Sequence, residues 1–175
     1  MEVKLGLGLA TGMFFHAPAD TALPTDPTAT LDAAWTHVGD VSDAGITLEL
    51  SKSTTNLRNW ANAVKRVIMT EHSETIQAPI MDTTEESLKT VVGADNVSVS
   101  NNVITVNLSA GNLPPEEAFL WVMKDGDDMM MIGCSRGQVS SVDNVTFAPG
   151  DPIRWTPTIT AMGEDGFKLI MSESE

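Results

Sequence analysis

Between residues 46 and 51 the chain alternates strictly. Ile46, Leu48 and Leu50 fall on one side, and Thr47, Glu49 and Ser51 on the other. A period of two sends successive side chains to opposite faces, so this segment predicts a strand buried on one side only. Just upstream, a strand-like run over 36–41 follows Trp35 and reaches the turn Ser42-Asp43-Ala44-Gly45, where a glycine can supply a positive φ. Downstream the alternation stops. Residues 52–63 are polar apart from Leu57 and Trp60, three apart, and predict a short helical turn or an excursion loop. Residues 64–69 and 71–81 then predict a long hairpin arm or a bent pair of strands, stopped near Pro79.

One segment has the helical pattern. Thr83 and Thr84 offer a hydroxyl cap, Glu85 and Glu86 sit where acids complement the helix dipole, and Thr83 to Glu86 has capping-box spacing. Leu88, Val91 and Val92 make one apolar face, and Gly93 stands where a helix-ending glycine belongs. The rest predicts strand after strand. Residues 97–99 and 103–108 flank Asn101-Asn102, and 118–124 and 129–135 flank Asp125-Gly126-Asp127-Asp128, a hairpin signal. Further strands are expected over 138–147, 153–162 and 167–171, the last after the turn Gly163-Glu164-Asp165-Gly166. Short, regularly spaced strands with one helix predict a mainly β fold, an antiparallel β-sandwich or barrel with a single flanking α-helix at about 84–92.

Residues 1–34 lack any sustained period. Glycines 6, 8 and 12 and Pro18, Pro24 and Pro27 predict an extended N-terminal arm, ahead of one β-rich domain over 35–175. Phe14 and Phe15 interrupt that arm, and apolar rings there need cover from this subunit's core or from a neighbour. The first fifteen residues have some character of a secretory signal, but Glu2 stands where positive charge belongs and glycines break the apolar stretch, so no signal peptide is expected.

Charge sharpens this reading. The chain of 175 residues carries 24 acidic and 10 basic side chains, net -14. Its 42% hydrophobic content fits one folded domain with a core rather than an acidic disordered tail. The longest apolar stretch, residues 118–123, is far too short to span a bilayer, so no membrane insertion is expected. Such acidity opposes wrapping of nucleic acid by charge neutralisation. The imbalance is uneven, because Lys52, Arg58, Lys65 and Arg66 cluster within fifteen residues. An acidic body with one basic stretch can dock onto copies of itself, whereas the plainer reading is solubility with a chance cluster.

Catalytic patterns are not found. His16, His37 and His72 lack the spacing that puts two imidazoles on one metal. Ser135, Ser140 and Ser141 lack a nucleophile elbow, and Asp125-Gly126-Asp127-Asp128 lacks the glycine position and distant glutamate of a calcium loop. The single cysteine, Cys134, lies in an apolar strand and reads as a buried, inert thiol. No enzyme, cofactor or metal site is expected.

Over residues 35–93 the order of features resembles a known family. Trp35-Thr36-His37-Val38-Gly39-Asp40-Val41-Ser42-Asp43-Ala44-Gly45-Ile46-Thr47-Leu48 is similar to the opening of the major tail proteins of long-tailed phages. A polar excursion with Trp60, an Arg66-Val67 strand, and the helix from Glu85 to Lys89 ending in Val92-Gly93 follow in the family's order. The resemblance implies a tail tube subunit, a structural protein of the virion tail made in the host cytoplasm. Such subunits close into hexameric rings that stack into a hollow tube around a tape-measure protein. The tube meets terminator and tip proteins at its ends and later conducts double-stranded DNA into the host without reading its sequence. The chain ends right after its last expected strand, so the additional immunoglobulin-like domain of some relatives is not expected. The candidate assembly contacts are Phe14, Phe15, Lys52, Leu57, Arg58, Trp60, Lys65 and Arg66. The alternative is a free-standing β-sandwich binding module, such as a capsid-decoration or adhesive domain.

Overall fold

A computed structural model describes residues 4–9, 13–109 and 111–172. Glu2, Thr11 and Gly12, on which the reading of the N-terminus leans, lie outside the described residues. The strands are β1 (Leu7–Gly8), β2 (Phe14–Pro18), β3 (Thr36–Gly39), β4 (Thr47–Arg58), β5 (Val64–Gln77), β6 (Val97–Ser100), β7 (Val103–Val106), β8 (Glu117–Asp125), β9 (Asp128–Val142), β10 (Pro157–Ala161) and β11 (Lys168–Met171). One α-helix, α1 (Glu85–Val92), and a short 3-10 turn (Ala94–Asn96) sit between β5 and β6. The fold is mainly β and antiparallel, as the strand spacing predicts.

The main sheet runs in the order β3-β2-β8-β9-β10-β5-β4, with β1 also on β8 and β11 also on β9. A separate hairpin joins β6 to β7. Its turn residues Asn101 and Asn102 both have positive φ, which asparagine tolerates better than other side chains. At the centre, β8 and β9 form a hairpin closed through Gly126 and Asp127. Strand β8 is apolar on both faces because both are covered. Phe119 and Trp121 enter one core cluster with Phe14, Ile76, Ile132, Ile159 and the helix residues Leu88 and Val91. Ala118, Leu120 and Val122 enter a second cluster with Trp35 and Met131, under Leu23 and Leu31. A sheet covered on both faces loses the polar/apolar alternation of a one-sided sheet. Gly133 lets β9 lie close to β8, since a Cβ there would collide with the Phe119 carbonyl.

Several boundaries differ from the sequence reading. The helix cap is Thr84 rather than Thr83. Ser87 N–H donates to Thr84 Oγ1 at 3.2 Å, and Thr84 N–H donates to Ser87 Oγ at 2.9 Å. Thr83 is otherwise engaged, its hydroxyl accepting the Trp155 indole N–H at 3.3 Å. Strand β9 runs unbroken from 128 to 142, where two segments were expected, and the chain leaves the ladder well before Phe147. Within residues 1–34, β2 is inserted between β3 and β8, so this part of the expected arm is a sheet strand. Phe14 and Phe15 are therefore held by this subunit.

Candidate assembly surface

The most prominent surface feature is the hairpin of β4 and β5. It is one ladder from Thr47↔Gln77 to Arg58↔Val64, with register shifts between Ser53 and Thr54 and between Leu57 and Arg58. The segment expected as an excursion loop is thus strand through Arg58. The turn itself is short: Asn59 N–H donates to the Ala63 carbonyl at 3.0 Å, and Arg58 Nη1 donates to the Asn62 carbonyl at 2.9 Å. Every residue of β4 is exposed, and so is β5 from Val64 to Ser73.

Exposure also corrects the expected one-sided burial of 46–51. By alternation, Leu48 and Leu50 share a face, and Leu48 pairs with Ile76, which is fully buried in the core. That face therefore continues the core face of the sheet outward. No described residue covers it there, and Leu50 is 58% exposed. Farther out, Met69, Val67 and Val64 pair with Thr54, Asn56 and Arg58 on the same side and are also exposed. The result is a solvent-facing apolar stripe, interrupted at Glu74, Lys52 and His72, along a two-stranded ribbon, a form marginally stable in water by itself.

The hairpin brings six of the eight sequence-derived candidates together: Lys52, Leu57, Arg58, Trp60, Lys65 and Arg66. Trp60 stands fully exposed at the tip. Residues 51–70 carry these four cations and no carboxylate, while the rest of the chain has six cations and all 24 acids. Among the described residues, none of the four lies within ion-pair distance of a carboxylate. The other two candidates lie elsewhere. Phe14 is 0% exposed and stacked on Trp121, so its ring belongs to this subunit's core rather than to a contact with a neighbour. Phe15 is half-buried on the opposite face, edge-on to His37 at 5.5 Å.

Sequence reasoning missed the root of the hairpin. Glu74 Oε2 accepts the Phe167 N–H at 2.6 Å, and its Oε1 lies 2.7 Å from His72 Nε2. The Phe167 N–H above all, against the opposing effect of burial and with help from His72 and Lys52, holds the Glu74 carboxyl below its ordinary value. A glutamate in a strand and a Gly-Glu-Asp-Gly turn 90 residues later carry no local signal of this pairing.

Other groups of chemical interest are held structurally. His16 Nδ1 lies 3.0 Å from Glu117. Among the described residues, no three His, Cys, Asp or Glu side chains are grouped as for a metal ion. Burial pushes the Cys134 thiol up to about 12, which leaves it protonated. No described helix is long and apolar enough to cross a membrane.

The described residues thus form a β-rich body carrying a long, exposed β4–β5 hairpin. The chain belongs to the phage tail tube protein family, whose sequence profile matches residues 8–172. It is therefore a structural protein of the virion tail, not an enzyme. No curated protein matches the sequence. Among solved structures, the chain is similar to the tube-terminating cap of the anti-feeding prophage, at 9% identity and a TM-score of 0.48, covering 98% of this chain and 97% of that one. It is also similar to the sheath/tube terminator of PVC, an extracellular contractile injection system in its extended state, at 12% identity and a TM-score of 0.44, covering 98% and 100%.

Proposed function

We propose that this chain is the repeating subunit of a phage tail tube. Copies close into rings, six to a ring as the family resemblance implies, and the rings stack into the conduit for DNA ejection. The observation that carries this reading is the β4–β5 hairpin, whose apolar stripe extends the core face and stays uncovered in the isolated chain. A second copy supplies the missing cover, and its acidic body suits the hairpin's four cations. Among the described residues the outer edge of β4 has no partner strand either, and pairing or covering it in a ring removes the hazard of an open edge.

The net charge fits a conduit as well. A wall rich in carboxylates repels the phosphate backbone and lets DNA slide without adsorbing. The tape-measure protein would occupy the bore during assembly, with terminator and tip proteins at the ends. Negative-stain microscopy of the purified chain tests the reading: rings or tubes are expected. A variant with residues 54–70 replaced by a two-residue Asn-Gly turn, which joins the register partners Ser53 and Glu71, should remain a folded monomer. Monodisperse monomers of the intact chain at every concentration and salt would favour a free-standing module, and tubes from the truncated variant would remove the hairpin from the contact.

A further inference from the structure

The ladder that ties the hairpin to the body is short. Among the described residues, strand β5 pairs with β10 only through Thr75, Ile76 and Gln77, and β4 has no second neighbour. Beyond residue 74, among the described residues, the two strands pair only with each other. Glu74 is the first residue past the end of that ladder. Among the described residues, its bond to the Phe167 N–H is the one side-chain hydrogen bond joining the hairpin beyond that ladder to the body.

The far side of that bond is well anchored. Phe167 packs beside Trp121, ring centroids 6.2 Å apart, against the main core cluster. Gly166 has a φ of +60°, and a Cβ there would run into the Glu74 carboxylate, so the turn is shaped to admit this side chain. Toward the tip, the register shift at Ser53 and Thr54 leaves Thr70 as an extra residue, a place where a ribbon bends. A ribbon with a bend and a short root ladder needs a bracket to hold one direction.

We infer that Glu74 is a positioning residue: its carboxylate, clamped to the Phe167 N–H, fixes the direction in which the hairpin leaves the body and so presents it for assembly. This rests on the reading of the hairpin as the assembly element, but the clamp can be measured without assembly. A hairpin free to swing loses ordering entropy on docking, whereas a clamped one has already lost it.

The experiment places spin labels at Ala61→Cys on the tip and Asp95→Cys on the body and measures the distance between them by pulsed electron resonance. The buried Cys134 thiol does not take the label. A narrow distribution is expected for the parent, a broad one for Glu74→Ala, and a restored narrow one for Glu74→Gln, which keeps an acceptor for the Phe167 N–H. Tube yield should fall about tenfold in Glu74→Ala at unchanged melting temperature and recover in Glu74→Gln. An unchanged distance distribution in Glu74→Ala overturns the inference, and so does a broadened one with undiminished tube yield. Failure of the assembly reading itself shows separately, as tubes from the chain lacking residues 54–70.

Discussion

Phe14 lies flat on Trp121, ring centroids 4.8 Å apart and planes within 1° of parallel, with both rings fully buried. The two residues are also register partners between β2 and β8. A centroid separation well above the contact distance of two parallel rings describes an offset stack, the favoured parallel arrangement of aromatic pairs. The N-terminal segment is thus joined to the centre of the fold both by its ladder and by its largest side chain.

Truncation should reflect this. Deleting residues 1–20 removes β1 and β2 and is expected to abolish cooperative unfolding, not merely assembly. Phe14→Ala should cost about 3–5 kcal/mol in denaturant unfolding, the usual range for a buried phenylalanine. Phe15→Ala, on a half-buried ring, should cost clearly less. Equal costs at the two positions would contradict the opposite placement of the rings.

How much of this was legible in the sequence depends on whether the signal came from the chain's own burial. The Asp125-Gly126 and Asn101-Asn102 turns and the helix at 85–92 were legible because turn chemistry and capping are local. Residues 52–58 were not, because a strand's alternation is written by burial on one face, and this strand has none within the subunit. Its ladder bonds are made by the backbone, which leaves no residue signature. Leu48 and Leu50 carry the alternation without the burial, as expected of a face that another chain covers. Phe14 escaped because its neighbours in sequence, glycines and prolines, look like an arm, while its partner is 107 positions away.

The thiol of Cys134 provides a measure of core integrity. With its pKa pushed up to about 12 by burial, it should resist aromatic disulfide reagents at pH 8 until the chain unfolds. The raised value also fixes the sign of an alkaline effect. The stability it contributes is fully present below the unfolded thiol's pKa, near 9, and is lost as pH rises toward 12, because only the unfolded chain ionises readily there. Rapid labelling at the rate of a free thiol in the native protein would show that β9 opens locally.

Glu74 has the opposite sign. Its carboxyl is held below the ordinary value of 4.5, so the clamp's contribution is present above that pH and is lost as pH falls through the lower folded value. Native-state hydrogen exchange of the Phe167 amide should accordingly show protection that falls on acidification below pH 4.5 and is reduced in Glu74→Ala at neutral pH. Protection that is the same in both proteins would place the amide's shielding elsewhere.

Trp60 separates stability from assembly. Its side chain is fully exposed, so Trp60→Ala should change the monomer's unfolding free energy by less than about 0.5 kcal/mol. The same substitution should suppress tubes if the ring is an anchor on the next copy, since buried tryptophans dominate contact energies. A monomer destabilised by several kcal/mol would reveal an intramolecular role that the exposed position does not suggest.

The charge partition makes the strongest case for how the hairpin finds its partner. Each exposed ion pair contributes little, about 0.2–1 kcal/mol, and single reversals elsewhere on the surface should pass unnoticed. Four cations on one ribbon, repeated around a ring, act together on an acidic body. Arg58→Glu with Lys65→Glu turns residues 51–70 from a net +4 to a net 0. It should slow assembly strongly at low ionic strength while leaving the melting temperature unchanged. Salt has two opposed effects on the parent: it screens repulsion between acidic bodies and attraction by the hairpin, over about 8–10 Å at physiological strength. Assembly followed by light scattering is therefore expected to peak at moderate salt in the parent. In the doubly reversed variant the attraction is largely gone and only repulsion is left to screen, so its assembly should rise steadily with salt. If the two proteins follow the same salt curve, the cations of the hairpin do not guide the contact, and the apolar stripe alone must account for it.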